Sequence, residues 1–173
     1  IIISLIRLQA NKVSDETLHN HLNETLNRVK SIAIVHEMLY RSEDLSHIEF
    51  KEYLNKITES LKTIYADKTK GVNINVSSDN VYFTVDKAVP CAIIINELVT
   101  NSIKHAFQKS DSGDINISLG MHHGYYDMNI SDTGSGLTDD FSLHKSTSLG
   151  MTLVDSLAGQ LDAEVSIDNS KGT

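Results

Sequence analysis

The chain has 173 residues, 40% of them apolar and 22% charged, enough for one sizeable globular domain or a domain with a small appendage. Fifteen basic against 23 acidic residues leave a formal charge of −8, which repels a nucleic-acid backbone and argues against that class of partner. The charge does not exclude a small phosphate-bearing ligand, because loop amides, helix N-termini and a metal ion can all hold phosphate. Cys91 is the single cysteine, so no internal disulfide framework forms, and a reducing, cytoplasmic setting is expected. No apolar run approaches a bilayer's thickness, so any membrane attachment is expected from segments outside this sequence. Arg7, Gln9, Asn11 and Lys12 soon interrupt the apolar opening Ile1-Ile2-Ile3-Ser4-Leu5-Ile6, and no charged leader or cleavage site marks a signal peptide. A start on three isoleucines reads as a helix entered part-way along.

Residues 1–12 are expected to end an amphipathic helix whose buried face is Ile2, Leu5, Ile6 and Leu8. Ser14-Asp15-Glu16 caps a second helix running to about Tyr40. Its seam is Leu18, Leu22, Val29, Ile32, His36 and Leu39, with Thr25 as a polar interruption; the alternating spacing of four and three is that of a helical hairpin or bundle. On pattern alone this hairpin reads more readily as a structural element than as one with chemistry of its own. Residues 41–44 form a polar connector, and a helix restarts from Phe50 to Ala66.

From Val72 the period changes to two, Val72, Ile74 and Val76 alternating with Asn73, Asn75 and Ser77, which predicts a half-buried strand. A short extended segment follows at 81–85. Asp86 is expected to cap a helix with Pro90 in its first turn, continuing to about Phe107. Strands over 115–119 and 126–130 are joined by a turn at His123-Gly124. A Gly/Ser/Thr-rich loop spans 133–148, then a helix 149–158 and a strand 164–167 complete the order. The whole predicts an α+β fold: a mixed sheet with helices on one face, preceded by the helical hairpin.

Three groups of residues carry chemistry. In Asn96-Glu97-Leu98-Val99-Thr100-Asn101-Ser102-Ile103-Lys104-His105-Ala106, helical spacing puts Glu97, Asn101 and Lys104 on one face. A carboxylate, an amide oxygen and an ammonium in a row suit phosphate and Mg²⁺, which favours hard oxygen ligands and keeps several waters. The same spacing equally describes a solvated polar face. In Asp132-Thr133-Gly134-Ser135-Gly136, directly after a strand, glycines allow close approach of a ligand, and the carboxylate can accept from an exocyclic amine. Many turns contain such a run. In Ser148-Leu149-Gly150-Met151 a helix N-terminus presents free N–H groups, which can serve phosphate or simply start a helix.

Taken in order, N-E-L-V-T-N-S-I-K-H-A-F, D-T-G-S-G-L and S-L-G-M-x-L-V resemble the N box and two glycine boxes of histidine-kinase ATPase domains. That fold, a two-layer α/β sandwich of the Bergerat type, is shared with DNA gyrase, heat-shock chaperones and mismatch-repair ATPases. The stretch Asp86 to Ala92 is similar to the segment that opens the family's N-box helix. The N-terminal runs I-I-x-S-L-x-x-L-Q and R-V-x-S-I-A-x-V-H-E-x-L-Y resemble one histidine-kinase subfamily, so the likeness covers essentially the whole chain. It implies a partial dimerisation hairpin over 1–45 and an ATP-binding catalytic domain over 46–173.

By the same resemblance, Asn101 would ligate Mg²⁺, Glu97 would take the base or metal-water position, and Lys104 would contact phosphate, with His105 nearby. Asp132 would bind the adenine amine, Gly134 and Gly136 would shape its pocket, and Leu149, Gly150 and Met151 would close over the nucleotide. The implied activity is phosphoryl transfer from ATP to a histidine, then to a response-regulator aspartate, within a homodimer. An anti-sigma-type serine kinase and a non-catalytic nucleotide sensor are the alternatives.

The resemblance places the acceptor histidine shortly before Ile1, and a closing strand beyond Thr173. His36-Glu37 imitates an acceptor box, but the seam predicts that His36 is packed among apolar side chains. The other histidines show no metal-ligand spacing with cysteine, so no zinc site is expected.

Overall fold

The computed structural model describes residues 1–41, 47–66, 69–108, 112–137, 141–143 and 148–168. Helices α1 (Ile2–Ala10) and α2 (Glu16–Arg41) form the hairpin. Asp15 caps α2, its Oδ1 accepting from the Leu18 N–H at 2.9 Å. A two-residue strand β1 (Ile48–Glu49), invisible to periodicity, leads into α3 (Phe50–Ile64). Then come β2 (Val72–Ser78), β3 (Tyr82–Phe83) and α4 (Val85–Asn101), which continues as a π-helical turn (Ser102–Ala106). Strands β4 (Gly113–His122) and β5 (Tyr125–Asp132) and helix α5 (Leu149–Gln160) complete the described elements.

The main sheet has the order β2-β4-β5, with β2 parallel to β4 and β4 antiparallel to β5. A parallel neighbour needs a crossover, and α4 supplies it. Alternation decides the faces. Val72, Ile74, Ile115, Ile117 and Leu119 point into the core, while Asn73, Asn75, Asn116 and Ser118 face solvent. Asn73 Nδ2 donates to Asp114 Oδ1 at 3.1 Å, and Asn75 Nδ2 to Asn116 Oδ1 at 3.0 Å, across the outer face. Over the inner face lie Tyr53, Leu54, Ile57 and Leu61 of α3 with Ala92, Ile95 and Val99 of α4. This is the α+β sandwich expected, with helices on one face of a mixed sheet. A smaller cluster of Ile94, Leu143 and Val154 fastens α5 to another flank of α4.

The elements depart from expectation in several places. The β4–β5 hairpin is longer than predicted because His123 (φ 51°) and Gly124 (φ 86°) both take the left-handed conformation of a two-residue type I′ turn. That turn's twist matches its strands, so pairing runs right up to it. Thr84, not Asp86, is the N-cap of α4, and Pro90 lies inside the helix rather than in its first turn. The carbonyl that loses its partner belongs to Asp86, which is solvent-exposed, so water can serve it. Residues 164–167 form no strand, and Val165 and Ile167 are exposed. Alternation there lacks a described neighbour to pair with, and strand formation depends on that context.

The hairpin seam is the largest correction. Asn27, Ser31, Val35 and Met38 are buried on the face of α2 turned toward α3 and α4, and Leu26 is buried as well. Of the predicted seam, Leu18, Thr25 and His36 are exposed or half-exposed and Leu22, Val29 and Ile32 half-buried, while the Leu39 side chain lies outside the described residues. Ile2, Leu5 and Leu8 of α1 are exposed too, and Ile6 is half-buried. Periodicity finds an apolar stripe but does not say whether the same chain covers it; here the polar-leaning face docks on the domain.

Two substitutions check this packing by equilibrium urea unfolding. Ile115→Ala empties a fully buried site and is expected to cost about 2–5 kcal/mol. Ile167→Ala should stay within about 0.5 kcal/mol of the parent, whereas a larger loss would mean that 164–167 is paired after all.

Candidate functional site

The polar face of α4 opens on a cleft of about 550 Å³. One wall is Asn96, Glu97, Thr100 and Asn101 of α4, with Lys104 and His105 of the π turn. The opposite wall is α2, through His21, Glu24, Asn27 and Arg28. The N-terminus of α5, Ser148, Leu149 and Gly150, closes one end. Ser148 caps that helix by accepting from the Met151 N–H at 3.3 Å. Gly150 comes so near Glu97 that a Cβ built on it would lie 2.5 Å from Oε2. A side chain there would displace a held carboxylate, which explains the glycine.

Two ion pairs span the cleft. Arg28 Nε donates to Glu97 Oε1 at 2.7 Å and Nη2 to Oε2 at 2.9 Å, a bidentate fork between largely buried side chains. Asn96 Nδ2 adds a longer bond to Oε1 at 3.3 Å. Lys104 Nζ meets Glu24 Oε1 at 2.6 Å. The hydrogen bond to Glu97 raises the Arg28 guanidinium above its ordinary pKa, although partial burial acts the other way. Partial burial pushes the Glu24 carboxyl up, but the hydrogen bond and charge of Lys104, aided by Arg28 and His21, more than reverse this and leave it low. Among the described residues, the buried Asn96 Oδ1 and Thr100 Oγ1 have no hydrogen-bond partner.

A second group lies beyond the π turn. Asp132, at the end of β5, is buried; its Oδ2 accepts from Ser102 Oγ at 2.8 Å and its Oδ1 from the Gly134 N–H at 2.9 Å. Gly134 packs on the π turn, where an added Cβ would collide with the Ala106 carbonyl oxygen. The Ser135 N–H donates to that same carbonyl at 2.9 Å. Gly136 has φ 69°, in the left-handed region that glycine tolerates best. The widened turn thus joins Lys104 and His105 on the cleft side to Ser102 on the Asp132 side, and π turns are common at functional sites.

Of the residues singled out from sequence, Glu97, Asn101, Lys104, His105, Leu149 and Gly150 share the cleft. Asp132, Gly134 and Gly136 do not line it; the first two stand behind the π turn. Met151 packs against the Ile94–Leu143–Val154 cluster instead. Sequence reasoning missed Glu24 and Arg28, whose partners are 80 and 69 positions away. It also missed His21, Asn27, Asn96 and Thr100. His36 is exposed and lies outside the cleft, contrary to the packed position expected. Cys91 is buried, and burial pushes its thiol up to about 11, so it is no nucleophile at neutral pH.

No cluster of three or more His, Cys, Asp or Glu side chains able to hold a metal exists among the described residues. A Mg²⁺ ion held mainly by phosphates needs no such cage. The amide of half-buried Asn101, with oxygen-bearing Glu97, Asn96 and Thr100 alongside, is a hard-donor set that fits it. No helix among the described residues is long and apolar enough to cross a membrane.

Residues 86–173 match the family described as Histidine kinase-, DNA gyrase B-, and HSP90-like ATPase, and residues 1–65 match the family described as Histidine kinase. The chain belongs to this ATPase family, in its histidine-kinase branch, with a dimerisation region preceding the ATPase fold. Sensor histidine kinase PdtaS of Mycobacterium tuberculosis is 31% identical over 172 residues, which are 98% of this chain and 34% of that protein. Blue-light-activated histidine kinase 2 of Erythrobacter litoralis is 24% identical over 176 residues, 96% of this chain and 49% of that protein. The chain thus spans between a third and a half of these relatives. The histidine kinase domain of the Erythrobacter litoralis EL346 blue-light activated histidine kinase superposes with a TM-score of 0.80 at 22% identity, over 99% of this chain and 80% of that one. At that identity the likeness shows the fold.

The contact between Gly134 and the π turn can be tested by stability. Gly134→Ala must move backbone rather than a flexible side-chain tip, and a loss of about 1–3 kcal/mol is expected in urea unfolding. Gly159→Ala, where a Cβ meets nothing within 4 Å in a helix, should instead gain about 0.4–1 kcal/mol. A neutral Gly134→Ala would mean the loop does not rest on Ala106.

Proposed function

We propose that the cleft binds Mg-ATP and that the full protein transfers the γ-phosphoryl group to a histidine, for relay to an aspartate of a response-regulator receiver domain. The observation that carries this is the convergence of Glu97, Asn101 and Lys104 with the Gly150 end of α5 in one cleft. In this reading residues 1–45 are a dimerisation hairpin and 46–173 the catalytic domain. The exposed Leu18 and half-buried Leu22, Val29 and Ile32 of α2, with the exposed Ile2, Leu5 and Leu8 of α1, are the face on which a second copy would build a four-helix bundle.

Phosphoryl transfer has a loose transition state that asks mainly for positioning and charge neutralisation. Mg²⁺, when bound, neutralises charge on the phosphates. Asn101 would hold it through its amide oxygen, and the Lys104 ammonium would meet a phosphate oxygen. Glu97 takes the base position, its carboxylate close to Gly150 in the first turn of α5. Asp132 keeps lone pairs beyond those used by Ser102 and Gly134, and these would accept from the adenine amine. The acceptor histidine is assigned to a position outside these 173 residues, so the chain alone is expected to bind ATP without labelling itself.

Calorimetry tests the assignment. Asn101→Ala should weaken Mg-ATP binding at least tenfold. Asp132→Asn should reduce the preference for ATP over GTP, since its amide can also face a guanine carbonyl oxygen, a difference of about 1–3 kcal/mol. Unchanged affinities in both variants would refute the site. A protein label from ATP that survives acid would favour a serine kinase instead.

A further inference from the structure

The wall of the cleft opposite α4 is itself charged, and its charges match those of α4 in alternation. Glu24 and Arg28 are four apart on α2, so they lie on one face. Across from them stand Lys104 and Glu97, and each pair is closed: Lys104 on Glu24 at 2.6 Å, Glu97 on Arg28 by two bonds. The side chains assigned to phosphate and to the base position are therefore already occupied by groups of the same chain. Between the two pairs the interface is polar, with Asn27 of α2 buried near Asn96 and Thr100 of α4. The buried Asn96 Oδ1 and Thr100 Oγ1 lack hydrogen-bond partners, which an interface meant for permanent burial avoids.

We propose that α2 is a built-in competitor of nucleotide: Glu24 and Arg28 clamp Lys104 and Glu97, and the cleft takes Mg-ATP only when the clamp opens. The proposal rests on the nucleotide reading of the cleft. A phosphate chain brought between the closed walls would find both cations, Lys104 and Arg28, already paired with carboxylates. It must displace Glu24 to gain Lys104, and opening offers the stranded Asn96 and Thr100 oxygens new partners in water or ligand. Apparent affinity is then the intrinsic affinity reduced by the fraction of open molecules, so anything that repositions α2 sets how readily nucleotide enters. Movement of the helical hairpin would thereby control the catalytic half without touching its fold.

The clamp and a simple charge effect predict different signs, and that makes the test decisive. Glu24→Gln removes a negative charge from the cleft and releases Lys104. Arg28→Gln removes a positive charge and releases Glu97 from α2, while the Asn96 amide still donates to that carboxylate. Mg-ATP affinity is measured by calorimetry on the parent and both variants, with hydrogen exchange of residues 22–31 followed without nucleotide. The clamp predicts roughly tenfold tighter binding in both variants, faster exchange in α2 in both, and faster exchange in the parent when Mg-ATP is added. A mere field effect predicts tighter binding for Glu24→Gln and weaker binding for Arg28→Gln, and that result overturns the clamp. Equal affinities in all three proteins also overturn it while leaving the nucleotide site intact. Absence of Mg-ATP binding in all three would refute the nucleotide reading, and the clamp with it.

Discussion

Helix α4 is packed on three flanks at once, and each flank asks for a different surface. Toward the sheet it presents Ala92, Ile95 and Val99, and toward α5 it presents Ile94 and Leu98. Only the remaining flank can be polar, and it carries Asn96, Glu97, Thr100 and Asn101. Burying a carboxylate on that flank is costly unless it is paired and hydrogen-bonded. Glu97 is paired by the Arg28 fork. The position of α2 against the domain meets that demand, and Gly150 leaves the held carboxylate room.

The same constraint explains why the hairpin is docked through its polar-leaning face. Val35 and Met38 anchor one end of α2 in the core beside Phe50 and Tyr53, and Asn27 donates to the Tyr65 hydroxyl at 3.0 Å. Nearer the cleft, apolar contact gives way to ion pairs and amides. Apolar packing holds regardless of salt, whereas charged contacts at a cleft edge yield to ionic strength and competing ligands. One helix is thus joined to the domain by an apolar end and a charged end, with Leu22, Val29 and Ile32 only half covered.

The sheet, its faces and the course of the helices were legible because they rest on local periodicity, as in Val72-Asn73-Ile74-Asn75-Val76. The cleft face was legible for a similar reason, since Glu97, Asn101 and Lys104 are neighbours by helical spacing. The partners of that face were not. Arg28 and Glu24 look like ordinary solvated charges on a polar helix until the fold brings them across from residues far along the chain. Nothing in Ser102-Ile103-Lys104-His105-Ala106 announces a π turn, because its cause is tertiary: Ser102 is drawn to Asp132 and the Ala106 carbonyl to Ser135. The exposure of His36 was misjudged because a stripe of apolar residues does not reveal which neighbour covers it.

The central claim, that the polar flank of α4 is the nucleotide site, is tested most directly by amide chemical shifts during a titration with Mg-ATP. The account predicts the largest changes at residues 96–105, at Gly134 and at 148–151, with the β4–β5 turn at His123-Gly124 unmoved. Changes centred instead on the small cavity beside His47, Glu52 and Lys56, with residues 96–105 unaffected, would contradict it.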